Sequence, residues 1–221
     1  MTEQPGLITI IDPLAPASEA YRTLRMNLQF ASLDHPLRTL LVTSPGPGEG
    51  KSTTLANLAV TMAQMERRVI IADCDLRRPY LHQMFGLGNE SGLTTMMLDD
   101  QALNAPPLQA TAVKGLQLLA SGPLPPRPAD LLGSQRMEQV LKRLLDEADI
   151  VILDAPPVVA VTDAVVLSTK VDGVLLVVSA GETKREHARR AIERLRKVNA
   201  RVLGVVLNNV PLDAALGGYY G

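Results

Sequence analysis

The stretch Ser44-Pro-Gly-Pro-Gly-Glu-Gly-Lys-Ser-Thr53 constrains this chain more than any other. An apolar run, Thr39-Leu-Leu-Val-Thr43, precedes it, and a helical pattern of Leu55, Leu58, Ala59 and Met62 follows. A strand, a glycine-rich turn and a helix in that order are the setting of a phosphate-binding loop. Gly48 and Gly50 let backbone N–H groups curl around phosphate oxygens where a Cβ would intrude. The helix directs its N-terminus, worth about half a positive charge, at the same oxygens. Lys51 has the reach for β- and γ-phosphates, and Ser52 offers a hydroxyl to Mg²⁺. Gly46, Pro47, Gly48, Glu49, Gly50, Lys51, Ser52 and Thr53 are therefore expected to line the nucleotide. The first position of the usual pattern is glycine, and Pro45 stands there. The plainer reading is a strand-to-helix turn that merely uses glycines, and Gly-Lys-Ser-Thr in register argues against it.

The rest of the chain alternates strand and helix. Apolar runs near 39–44, 68–73, 116–120, 149–154, 173–179 and 202–208 read as buried strands, being rich in Val, Ile and Leu. Met137, Val140, Leu141, Leu144 and Leu145 fall on one helical stripe, as do Ala188, Ala191, Ile192, Leu195 and Val198. This predicts an α/β fold, a P-loop NTPase with a mostly parallel sheet flanked by helices on both faces. With 221 residues, one domain over 1–221 is the simplest organisation. Residues 1–38 precede the first strand and hold one helix at about 18–33, while 212–221 form a glycine- and tyrosine-containing tail. Residues 86–115 interrupt the alternation and read as a helix-containing excursion. The proline run over 121–128 reads as a stiff loop with Pro128 opening the next helix, in preference to a polyproline ligand.

Composition narrows the class. Apolar residues at 46% argue against disorder, and a net charge of −1 gives no global pull toward nucleic acid or an anionic membrane. The single cysteine, Cys74, excludes a disulfide scaffold or clustered-cysteine metal site and fits a reducing, cytoplasmic setting. No signal peptide is recognisable, and no run approaches the ~20 apolar residues of a membrane helix, so membrane association is expected through a partner. Residues 184–198 are strongly basic, which reads as a solvated face on a packed helix.

In open parallel sheets ligands bind at the carboxyl ends of strands. Val69-Ile-Ile-Ala-Asp73-Cys-Asp75 delivers two carboxylates to that edge, and Ile150-Val-Ile-Leu-Asp154 delivers a third in the form of a Walker B motif. Mg²⁺ takes few carboxylates plus water and phosphate oxygens, so Ser52, Asp75 and Asp154 are the candidate metal ligands. Helix caps or turns are the alternative roles for such aspartates. Arg77 and Arg78 could face a phosphoryl group or pair with an acid. Asp163 reads as a helix cap, and His82, with no Cys or His partner nearby, as structural.

Together these residues resemble the bacterial tyrosine kinase family that controls capsule and exopolysaccharide synthesis, over nearly the whole chain. The phosphate loop is similar to the family's Ser-x-x-Pro-Gly-Glu-Gly-Lys-Ser form. Asp73-Cys-Asp-Leu-Arg-Arg-Pro79 resembles its second Walker A-like motif, and Asp154-Ala-Pro-Pro157 stands where it has Walker B. Ser121-Gly-Pro-Leu-Pro-Pro and Asp130-Leu-Leu-Gly-Ser134 also look like family segments. Glu19, Arg22 and Arg25 match its Glu-x2-Arg-x2-Arg motif for ring assembly; a surface ion pair is the alternative. Leu207-Asn-Asn-Val-Pro211 resembles the loop that meets the base in related ATPases, which brings in Asn209 and Pro211.

The resemblance implies ATP and Mg²⁺ as cofactors and Lys51, Asp73, Asp75 and Asp154 as the catalytic set. Asp73 would orient the attacking tyrosine hydroxyl and finally accept its proton. It implies a homo-oligomeric ring, a membrane-spanning activator of the polysaccharide copolymerase type, and a place at the inner face of the membrane. Other proteins are possible further substrates; nucleic acid is not an expected partner. Tyr219 and Tyr220 are all that remains here of the family's tyrosine cluster, and are the expected phosphoacceptors. The rival class is a P-loop ATPase switch of the partition and cell-division type. Such switches carry a signature lysine where this chain has Gly46. Iron–sulfur carriers of this fold need paired cysteines, and Cys74 has no mate.

Overall fold

The computed structural model of the chain describes residues 6–211. In chain order the elements are α1 (Ile8–Ile11), α2 (Pro16–Phe30), β1 (Thr39–Thr43), α3 (Lys51–Ala63), β2 (Val69–Asp73), α4 (Leu81–Met84), α5 (Leu93–Leu98), α6 (Asp100–Asn104) and β3 (Gln109–Ala110). There follow β4 (Leu116–Leu119), α7 (Pro128–Gly133), α8 (Gln135–Glu147), β5 (Ile150–Asp154), α9 (Asp163–Ser168), β6 (Gly173–Ser179), α10 (Arg185–Lys197) and β7 (Val202–Asn208).

The strands form one sheet in the order β3-β4-β2-β5-β1-β6-β7, parallel throughout except for the short β3, which runs antiparallel to β4. The α/β sheet expected from the sequence is the one observed. β1, β2, β5 and β6 are buried along their whole length, which is why their sequences read as continuous apolar runs rather than alternating ones. Along β6, Leu176 and Val178 face the core shared with α8 and α10, whereas Leu175 and Val177 face the core shared with α3.

Local sequence explains most boundaries. Pro16 and Pro128 each occupy a first-turn position of their helices, where the missing N–H costs nothing. The helix expected at about 18–33 thus begins two residues earlier and ends at Phe30. The excursion over 86–115 contains α5, α6 and β3; the last was not anticipated.

α3 is buried from Thr54 to Ala63 because α1 and α2 cover the side away from the sheet. Asn57 holds that cover in place. Its Oδ1 accepts from the backbone N–H (3.1 Å) and hydroxyl (2.8 Å) of Thr9, and its Nδ2 donates to the Thr53 carbonyl. The Ser18 hydroxyl ties α2 to α1 through the carbonyls of Ile8 and Asp12. Asn57→Ala leaves the buried Thr9 donors without an acceptor. It should cost about 1–3 kcal/mol in urea unfolding and speed proteolysis ahead of β1. An unchanged midpoint would show that the N-terminal cover does not depend on this side chain.

Candidate active site

The strand order assembles the site. β1 lies between β5 and β6, and β5 between β1 and β2. Val42 at the end of β1 is level with Asp154, and Asp154 is level with Asp73 at the end of β2. The phosphate loop and both aspartate-bearing turns therefore emerge side by side.

Gly48 and Gly50 have φ of 76° and 86°, a region open to glycine at little cost. A Cβ on Gly50 would also collide with the amide of Asn208. The loop is braced from within and from β6 and β7. Glu49 is buried, accepts from the Gly46 N–H at 3.1 Å and from the Thr183 hydroxyl at 2.7 Å, and its carbonyl accepts from Asn208 Nδ2. Among the described residues, the backbone N–H groups of Gly48, Glu49, Gly50, Lys51 and Ser52 have no acceptor. A row of unpaired donors on a glycine turn at a helix N-terminus fits phosphate oxygens.

Lys51 Nζ lies 3.1 Å from Asp154 Oδ1 and 3.2 Å from Asp75 Oδ2, and the Ser52 hydroxyl donates to Asp154 Oδ2. Burial pulls the Lys51 ammonium down, but the Asp154 and Asp75 carboxylates outweigh it and its pKa ends above the ordinary value. Burial raises Asp154, against the pull of Lys51. Asp73 is fully buried, and burial, reinforced by the Asp154 charge, lifts its pKa to about 7. Its Oδ2 accepts from the N–H groups of Tyr80 and Leu81, both at 2.9 Å, and its Oδ1 from Asp75 at 3.2 Å.

The donor set of Ser52, Asp75 and Asp154 is all oxygen, as Mg²⁺ requires. No three His, Cys, Asp or Glu side chains among the described residues form a cage of their own. That suits an ion which completes its shell with water and phosphate.

Several side chains behave otherwise than their sequence suggests. Asp163 is not a cap: Thr162 holds that position, and the buried Asp163 carboxylate accepts two bonds from Arg77, at 2.9 and 3.0 Å. Arg77 is thereby committed to an acid rather than free to meet phosphate, a pairing across 86 residues that no local pattern announces. Asn208, within the segment that resembles a base-meeting loop, donates to the Glu49 carbonyl, whereas Thr183 and Ser179, which hold Glu49 and Asn209, carry no local sequence signal. Asn209 has φ 56° and donates to the Ser179 hydroxyl at 2.9 Å. Pro211 closes the described segment, and Tyr219 and Tyr220 lie outside it.

The assembly-motif residues make contacts within the chain. Arg22 pairs with Glu19 at 2.7 Å and donates to the Pro13 carbonyl, and Arg25 donates to the Thr61 carbonyl. Arg25 also lines a hollow of about 710 Å³ at the opposite edge of the sheet, with Leu28, Met62, Met65 and Arg67. Cys74 is buried and free, and His82 Nδ1 is buried without a partner among the described residues.

The loop, the Walker B carboxylate and the sheet order define a P-loop NTPase, and the family model described as "ParA: NUBPL iron-transfer P-loop NTPase" matches residues 37–213. The chain is 42% identical to the tyrosine-protein kinase YwqD of Bacillus subtilis, over 99% of this chain and 92% of that one. It is 34% identical to the tyrosine-protein kinase etk of Escherichia coli over 95% of its own length and 29% of the longer protein. Among solved structures, the kinase domain of E. coli ETK superposes with a TM-score of 0.90 at 33% identity, covering 97% of this chain and 84% of that chain. The chimerical protein CapA2B2 does so with a TM-score of 0.88 at 36% identity, covering 93% and 90%. The chain belongs to the bacterial tyrosine kinase family, within the ParA-type P-loop NTPases.

The electrostatics predict a pH effect. Asp73 titrates near 3.8 when unfolded and near 7 when folded, so between those values the folded chain binds the extra proton. Stability should then fall as pH rises through that window. Asp73→Asn removes the buried charge. In the nucleotide-free protein its thermal midpoint, relative to wild type, should be most favourable at pH 8 and lose that advantage on acidification toward pH 4. A difference independent of pH would mean that Asp73 is not the titrating group.

Proposed function

We propose that this chain is an ATP-dependent protein-tyrosine kinase that phosphorylates Tyr219 and Tyr220 on a neighbouring copy and thereby regulates capsular or exopolysaccharide synthesis. The observation that carries this reading is Lys51 held between Asp75 and Asp154 beneath a row of unpaired backbone N–H groups, in a chain of the tyrosine kinase family. ATP would lie along residues 46–53, with Asn209 and Pro211 toward the base, and Lys51 would exchange its carboxylate contacts for phosphate oxygens. Ser52, Asp75 and Asp154 would hold Mg²⁺, which when bound neutralises charge on the phosphates.

Tyrosine in water has a pKa of about 10, so a carboxylate does not deprotonate it before attack. In a loose phosphoryl transfer the proton leaves late, and positioning is the larger contribution. Asp73 as the group that orients and finally accepts that proton is favoured by its pKa near 7. Its three backbone hydrogen bonds favour a second role, holding the turn that carries Asp75. Asp73→Asn separates the two. Loss of turnover with Mg²⁺-ATP affinity intact marks the acceptor of the proton, and parallel loss of both marks the organiser of the turn.

The chain's own oligomer, through Glu19, Arg22 and Arg25, is the proposed setting for transfer in trans. A membrane-spanning activator would bring it to the inner face of the membrane, and other proteins could be further substrates. Residues 1–38 then act as the assembly segment and 212–221 as the substrate tail of a single kinase domain. Each added phosphate brings about −1.5 to −2 charges, which repel Asp73, Asp75 and Asp154 and favour release of the tail.

Lys51→Met should abolish nearly all phosphorylation while the chain still folds, with a thermal midpoint lowered at neutral pH because the buried Asp75 and Asp154 lose their cation. Retention of most of the rate would remove the loop from the chemistry. Mass spectrometry after incubation with ATP should place phosphate on Tyr219 and Tyr220. Tyr21 is half-buried, its hydroxyl pKa is raised by burial, and it should be a poor acceptor; so should Tyr80, whose backbone is fixed to Asp73. Phosphate mainly on Tyr21 or Tyr80 would count against the tail. Replacing Glu19, Arg22 and Arg25 by Ala should lower the mass seen by light scattering together with trans-phosphorylation. An unchanged mass would leave them as contacts within one chain.

A further inference from the structure

Residues 184–197 carry seven Lys or Arg against two Glu, in a chain of net charge −1. α10 buries Ala191 and Leu195 against the sheet, and its two flanks differ. On one flank Arg194 is tied inward, donating to the carbonyls of Val158 and Val159. On the outermost face Arg190 is paired with Glu186 at 2.8 Å. The opposite flank bears Arg185, Arg189 and Arg196, whose spacing places them in one row about 16 Å long. All three are exposed, and none has an ion-pair partner among the described residues.

That row borders the open edge of the sheet. β7 is the terminal strand, and Val205 and Leu207 are level with Leu176 and Val178, so they point to the face that α10 covers. The helix does not reach them: Val205 is 50% and Leu207 57% exposed, and Val210 beyond them 54%. Among the described residues, unpaired arginines therefore lie beside uncovered aliphatic side chains on one surface.

We infer that this surface, the Arg185–Arg189–Arg196 row with Val205, Leu207 and Val210, docks on an anionic lipid bilayer. The arginines face headgroup phosphates and the aliphatic groups enter the interfacial layer. Charge complementarity selects an anionic partner. The aliphatic residues select lipid over nucleic acid, which would contact the arginines but give Val205 and Leu207 nothing to bury against. The contact is independent of the kinase reading and of any membrane-spanning partner.

The test is co-sedimentation of the full chain with phosphatidylcholine vesicles containing about a third phosphatidylglycerol, beside pure phosphatidylcholine vesicles. The chain should bind the first and not the second, and release as salt is raised. Arg185→Gln/Arg189→Gln/Arg196→Gln should lower the partition coefficient about a hundredfold. Val205→Asp should weaken binding with the arginines intact. Both variants should keep the wild-type circular dichroism and phosphorylation rate, which shows that they fold. No binding to anionic vesicles, equal binding by the triple variant, or tighter binding to a short DNA duplex or to polyglutamate at the same salt would each overturn the assignment to lipid.

Discussion

Three buried aspartates share one lysine at the carboxyl edge of this sheet, and the remainder of the site is arranged around that imbalance. Asp73, Asp75 and Asp154 are each 5% exposed or less, and among the described residues the cation paired with them is Lys51, which meets Asp75 and Asp154. Carboxylates taken from water and set close together cannot all remain charged without a compensating cation. The protein answers in part with hydrogen bonds, from Ser52 to Asp154 and from three backbone N–H groups to Asp73, and in part with a proton on Asp73 below neutral pH. The residual charge suits a divalent ion, while the unpaired N–H row opposite suits an anion. A metal–phosphate pair satisfies both halves together. That is the physical reason to read the cleft as a site for a nucleotide with its ion rather than for either alone.

This electrostatic arrangement depends on topology before side chains. Placing β5 beside both β1 and β2 brings Asp154 level with Val42 on one side and Asp73 on the other. The turn after β2 is then anchored twice, by Asp73 beneath it and by the Arg77–Asp163 pair at its flank. Asp163 is wholly buried, so releasing Arg77 would strand a charge, a change that typically costs about 3–5 kcal/mol. Arg77 is therefore a strut of this turn. Arg78 beside it is exposed, and its backbone N–H donates to Asp75, so of the two arginines only Arg78 keeps its side chain free of an ion pair among the described residues.

What could be read from sequence alone follows from the range of the interactions. The main strands were legible because both faces are buried, leaving uninterrupted runs such as Ile150-Val-Ile-Leu, and α8 because Met137, Val140, Leu141 and Leu144 repeat at helical spacing. The phosphate loop and the aspartates at strand ends were legible because strand direction sends them to one edge. Arg77 with Asp163, Glu49 with Thr183 and Asn57 with Thr9 were not, since each joins residues 48 or more positions apart whose local settings suggest a cap, a loop or a surface. The two-residue β3 carries no pattern long enough to recognise.

The same loop chemistry serves kinases and switches, so the distinction has to lie in how an acceptor reaches the γ-phosphate. Gly46 has no side chain to reach across toward a second copy, and its N–H is closed off by Glu49 of the same chain. Glu49 is in turn held by Thr183, and Asn208 braces the loop from β7. The loop is thus braced by residues of its own chain. The groups that converge there suit phosphate and metal, and among the described residues the backbone-bound Asp73 is the proposed group to meet a tyrosine hydroxyl. Phosphoryl transfer relies on positioning, and in the proposed assembly a neighbour's tail would supply a high effective concentration without a dedicated pocket. Under the proposed transfer in trans, the acceptor would come by association, and subunit contact would be the step through which the rate is most directly controlled.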